Sequence, residues 1–201
     1  QVDLEEHTFS RRQGRIDREQ VPVFVEAGEA ERGFTPGTIQ PGTWFVELGI
    51  AAVSPNGADW QVRVECKSAG GRKPAADPVD ATHVARFAPG WYHGDFHMHA
   101  FHSNPNAPDW DGFIEQARAV QLDFLMVTEY VTGAHWRTLG AVQRAHPDLL
   151  IWPGREIITY FGHATTHGET PQVLEYRHGF EDVNLGDIQR AAKAAGALFQ
   201  I

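Results

Sequence analysis

The sequence predicts an α/β chain: part of a β/α barrel over residues 89–201, preceded by a small all-β, sandwich-like domain over residues 21–88 and a polar arm over residues 1–20. Three observations carry that expectation. From Val21 onward, short apolar runs are punctuated by turn residues, as in a small antiparallel β-sandwich. After Trp91 the pattern becomes strand, helix, strand, helix, which implies a parallel sheet or barrel with helices outside. The last residues, ALFQI, begin an apolar strand that no helix covers, so the chain is expected to be a piece of a longer barrel protein.

Taken in order, EEHTFSRRQGRIDREQ is a charged, loosely held arm. VPVFVEA alternates, TWFVELGIAAV is a second apolar run, and WQVRVECKS alternates through Val62, Val64 and Cys66. AGGRKPAADPVDAT, rich in Gly, Pro and Asp, reads as the linker out of that module. Beyond it, Asp109 or Asp111 can cap a helix with Phe113, Ile114, Ala117 and Val120 on one face. LDFLMVTEY supplies a continuous apolar run, Phe124 to Val127, as expected of a parallel strand buried on both faces. Trp136, Leu139 and Val142 mark a second helix that Pro147 closes, and LLIWPGREIITYF is a third buried segment. Asn184 and Asp187 stand where they can cap a last helix carrying Ile188, Ala191, Ala192 and Ala195, ended by Gly196.

The 201 residues are 42% hydrophobic, enough to bury a real core. A net charge of −9 and the absence of any long basic run argue against nucleic-acid binding. A small-molecule substrate is the expected partner. No apolar run reaches the length of about 18 residues that a membrane span needs. No basic segment followed by an apolar core heads the chain, so no signal peptide is visible and a cytoplasmic location is expected. Eleven histidines against one cysteine is the compositional anomaly. Cys66 alone cannot form an internal disulfide, so a bound metal would be held by nitrogen and oxygen ligands.

The histidines concentrate in WYHGDFHMHAFHSN, Trp91 to Asn104. On a strand His97 and His99 project the same way, about 7 Å apart along the backbone, and can hold a divalent ion between them. The competing reading is a histidine-rich surface strand. In β/α barrels functional groups gather at the C-terminal ends of strands. Those ends here are His97 and His99, Glu129 and Tyr130, Glu156, and His163 with His167. Glu156 sits in an apolar strand, where an unpaired carboxylate is costly, so a cation or a salt bridge to Arg155 or Arg137 is needed. Glu129 stands open between metal ligand and polar strand end. His163 follows Gly162 and reads as ligand or proton donor, with His135 as a second candidate donor. His102 and His167 read as supporting or exposed groups.

These residues resemble a known family. GDFHMHAFHSN is similar to the first motif of the PHP (polymerase and histidinol phosphatase) metallohydrolases, commonly Gly-Asp-Leu-His-x-His ending in Ser-Asp. LDFLMVTEY lies where that family has a strand ending in Thr-Asp-His, and PGREIITYFGHATTHG resembles its Gly-x-Glu strand followed by Gly-His. AAGALFQI resembles the run into a later Asn-His-Pro motif, and TPGTIQPGTWFVELGI is similar to the β-sandwich of the carbaryl-hydrolase-like branch. The resemblance covers about residues 20–201. It implies a distorted seven-stranded β/α barrel holding one to three divalent ions, Zn, Mn or Fe, and hydrolysing a phosphoester, ester, amide or carbamate. It also implies His97, His99 and Glu156 as ligands of one ion, with Glu156 bridging and His163 serving a neighbour. There are two departures from the pattern: Asn104 replaces the Asp of Ser-Asp, and Glu129-Tyr130 replaces Asp-His. Those departures keep an alternative open, a non-catalytic barrel acting as a binding or scaffold module.

Overall fold

The structure is a computed structural model that describes residues 23–38, 40–44, 55–57, 59, 61–66, 76–159, 161–168, 174, 178 and 183–201. The chain divides into two compact units, Gln1–Pro74 and Ala75–Ile201. In the first, Val25 and Ala30 form an antiparallel bridge over a tight turn, and Phe34 is buried. The expected strand over residues 61–66 is not formed: this stretch is exposed, with Val64 open to solvent and Cys66 a free, exposed thiol. Most of the expected run TWFVELGIAAV, its residues 45–53, lies outside the described residues.

The second unit holds a five-stranded sheet in the order β1 to β5. Its elements are β1 (Gly94–Met98), α1 (Trp110–Ala119), β2 (Phe124–Tyr130), α2 (Leu139–Ala145), β3 (Leu150–Thr159), β4 (Gly162–His167), α3 (Leu185–Ala194) and β5 (Leu198–Gln200), with a 3-10 turn over Ala134–Arg137. β1, β2 and β3 run parallel, whereas β3 with β4 and β4 with β5 pair antiparallel. The sheet is therefore mixed and curls into half a barrel, and the expected β/α barrel is not what forms. The cause lies after β3. Thr159 pairs directly with Gly162, and a parallel crossover needs a dozen or more residues where this link has two. Gly162 adopts φ +134°, a conformation that favours glycine, at the point where the chain reverses.

Local chemistry explains the helices. The Asp109 carboxylate accepts from Gly112 N–H at 3.0 Å and starts α1, and Asn184 Oδ1 accepts from Asp187 N–H at 3.0 Å and starts α3. Gly196, at φ +88°, ends the last turn after α3. Phe113, Ile114 and Ala117 of α1 are buried, but Val120 is left 59% exposed as the residue that caps the helix. The helix expected to begin at Trp136 is split into the 3-10 turn and α2. At the start of α2, Gly140 accommodates a strap from the beginning of the unit. A Cβ there would lie 2.3 Å from the Pro78 carbonyl oxygen.

Alternate residues of the strands build the core. Leu125, Val127 and Ile151 are fully buried against Phe113, Ile114, Ala117 and Leu139, and Ile157 is fully buried against Ile188 and Ala192. Each such side chain contributes roughly 1.5–3 kcal/mol relative to exposure. The three described helices thus cover one face. Phe124 and Met126 point the other way and stay half-buried, so β2 is not sealed on both faces as expected.

Candidate metal centre

An irregularity in β1 decides where its histidines point. Gly94 pairs with Phe124 and Asp95 with Leu125, but Met98 then pairs with Val127, so β1 carries one extra residue between those pairs. Such a bulge re-aims side chains. It places Phe96 and His97 on the same face although they are consecutive. The Phe96 ring meets Phe124 at 5.1 Å and His167 at 5.6 Å, while Met98 turns into the helix-covered core. In a regular ladder His97 and His99 would align with Val127 and Glu129 and face the helices. The bulge also takes Asp95 out of their alternation, and its carboxylate accepts from His97 N–H at 2.8 Å.

Opposite them stands Glu156 of β3, between Tyr130 of β2 and Thr165 of β4. Only 3% of it is exposed. Its Oε2 lies 2.8 Å from His97 Nε2 and 3.0 Å from His99 Nε2, and its Oε1 lies 2.7 Å from His163 Nδ1. Burial pushes the Glu156 carboxyl upward, but hydrogen bonds and charge from His99 and His97 prevail and hold it down at about 2. One carboxylate therefore gathers three imidazoles, two on one oxygen and one on the other. His99 Nδ1 is buried without a hydrogen-bond partner among the described residues. The Tyr130 ring packs on His99 at 4.2 Å. Burial and the nearby carboxylates of Glu156 and Glu129 raise the Tyr130 hydroxyl above its usual range, so it stays protonated.

The remaining sequence candidates sit elsewhere. Glu129 is fully buried, its carboxylate engaged by the Ala100–Ser103 turn. His135 is also fully buried, its ring 5.8 Å from Trp136 and 6.0 Å from His102. Burial lowers the His135 imidazole well below its ordinary value, so it is neutral at pH 7. His167 Nε2 lies 3.1 Å from Gln200 Oε1 and 3.2 Å from Thr165 Oγ1, beside the group but turned to β5. Asn104 closes its own turn by accepting from Asn106 N–H at 3.0 Å.

His97, His99 and Glu156 each offer a ligand atom, and these lie within 4.8 Å of one another. Two imidazole nitrogens and a carboxylate oxygen with no thiolate form a donor set that fits a divalent ion of borderline softness. The spacing of His97 and His99 and the carboxylate of Glu156 in an apolar strand marked this trio in the sequence, although regular alternation would have turned the two histidines toward the helices. The bulge that aims it and the ring support from Tyr130 have no marker in the sequence. Comparison of the chain with known protein families, with curated proteins and with solved structures gives no match. Among the described residues, no helix is long and apolar enough to cross a membrane.

Proposed function

We propose that this chain belongs to a metal-dependent hydrolase of PHP type, acting on an ester, amide, carbamate or phosphoester bond of a small molecule. The observation that carries this reading is the ionised Glu156 carboxylate with His97 and His99 on one oxygen and His163 on the other, on the sheet face opposite the described helices. His97, His99 and Glu156 would hold one divalent ion, Zn²⁺, Mn²⁺ or Fe²⁺. A divalent ion held there supplies Lewis acidity to a substrate oxygen and lowers the pKa of water at the site. The chain itself supplies orientation and proton handling. Because Glu156 is ionised across the neutral range, it holds a cation without first losing a proton. His163, with half of its side chain exposed, can deliver a proton to a leaving group. Tyr130 holds the His99 ring in place.

A second reading, a binding module without catalysis, draws on Asn104 and Tyr130. The first is spent on its own turn and the second keeps its phenolic proton, so neither adds a ligand. Elemental analysis and turnover of a panel of esters, carbamates and phosphoesters decide between them. Bound metal and hydrolysis that disappear together in the His97→Ala/His99→Ala variant support the hydrolase. Bound metal without turnover, or a folded wild-type chain with no metal at all, overturns the hydrolase and favours the module.

A further inference from the structure

We infer that Glu129 is a positioning residue, a buried carboxylate that fixes the Ala100–Ser103 turn and through it His97 in β1 and His99 just after it. This rests on the metal reading of that trio. Glu129 ends the run Leu125, Val127, Glu129 that faces the helices, and it is fully buried. Its Oε1 accepts from Ala100 N–H at 3.1 Å and from His102 N–H at 3.3 Å, with His102 Nδ1 at 3.5 Å. Its Oε2 accepts from Ser103 N–H at 3.1 Å and from the Ser103 hydroxyl. Ser103 Oγ in turn accepts from Tyr130 N–H at 3.0 Å, which ties the turn back to β2.

Two consequences follow from this geometry. A carboxylate offers about four lone-pair sites, and three amides and a hydroxyl already fill them, so Glu129 has no lone pair left for an ion. Moreover, Ala100 is the next residue after His99. The first hydrogen bond therefore fixes the peptide group that sets the direction of a ligand. Glutamine cannot substitute: its NH₂ end would face amide and hydroxyl donors that need an acceptor.

The test is a Zn²⁺ titration of wild type, Glu129→Gln, Ser103→Ala and the double variant, with amide hydrogen exchange at Ala100, His102 and Ser103. Supporting groups of this kind change metal affinity by about 10–100-fold. Glu129→Gln should weaken Zn²⁺ binding by about that factor with unchanged stoichiometry, and the three amides should lose protection. Ser103→Ala should act in the same direction more weakly, and the double variant should bind no worse than Glu129→Gln, because both act through one turn. If Glu129→Gln does not fold, Ser103→Ala alone must still weaken binding at constant stoichiometry. Loss of one equivalent of Zn²⁺ in Glu129→Gln makes Glu129 a ligand and overturns the inference, as does unchanged affinity in both single variants. A wild-type chain that takes up no Zn²⁺ is the distinct failure of the metal reading itself.

Discussion

The two faces of the sheet are built from the same strands yet treat polar groups in opposite ways. On the helix-covered face, Leu125, Val127, Ile151 and Ile157 are fully buried, and the polar residues among them are held by the fold itself. Glu129 is wrapped by backbone amides, and the Arg155 guanidinium lies 4.9 Å over the Trp136 ring. On the other face, Phe96 is 50% exposed, and Glu156 is held by imidazoles that are themselves partly open to solvent. A group whose partners are backbone amides cannot exchange them for a ligand. A group whose partners are solvent-exposed imidazoles can. Strand parity thus separates stability from chemistry at a spacing of one residue.

Neighbours on β3 give the sharpest way to break this comparison. Ile157→Ala leaves a cavity against Ile188 and Ala192 and should cost about 2–5 kcal/mol by denaturant unfolding, with metal stoichiometry retained in the folded fraction. Glu156→Gln should do the reverse. It keeps the shape of the side chain but removes the charge, so Zn²⁺ affinity should fall by about 100-fold or more, with a smaller loss of stability than Ile157→Ala. If Ile157→Ala abolished metal binding in folded protein, or Glu156→Gln unfolded the chain, the division of labour between the faces would be wrong.

The same comparison explains what could be seen in advance. Asp109 and Asn184 announced their helices because a cap is a local interaction, complete within three residues. His97, His99 and Glu156 stood out because imidazoles and a carboxylate are conspicuous in apolar strands. The antiparallel β4 was hidden inside GHATTH, which lacks an apolar face. The available marker was the two-residue gap before Gly162, too short for any crossover. That one turn is why a mixed half-barrel forms where a β/α barrel was expected. The bulge in β1 depends on the register between two strands far apart in sequence, so no single stretch records it. The inward direction of Glu129 was accessible, since it shares parity with Leu125 and Val127.

A smaller effect probes the helix-covered face through pH. His135 is neutral there because burial depresses its pKa well below 6.5, while an unfolded chain would protonate it near 6.5. Between those values the unfolded state binds the extra proton, so the stability that neutral His135 permits is fully present above about pH 6.5 and is lost as pH falls below it. The contribution approaches about 1.4 kcal/mol per pH unit for one group. Urea unfolding of metal-free wild type and of His135→Leu, between about pH 7 and about pH 5, should show the variant losing stability less steeply on acidification. Parallel slopes would mean that His135 takes up its proton within the fold.

The smallest effect is expected at Tyr130, which sets both an aromatic body and a polar tip against the trio. Its ring lies 4.2 Å from the His99 ring, whereas its hydroxyl keeps its proton because burial, Glu156 and Glu129 all oppose ionisation. A neutral phenol is a poor cation ligand, so the contribution of Tyr130 should come from packing. Tyr130→Phe keeps the ring and should change Zn²⁺ affinity by no more than about 3-fold, whereas Tyr130→Ala frees the His99 ring and should weaken it by about 10-fold. A Tyr130→Phe variant as impaired as Tyr130→Ala would place the hydroxyl among the ligands, and the open face would then hold its ion with an oxygen that must first give up a proton.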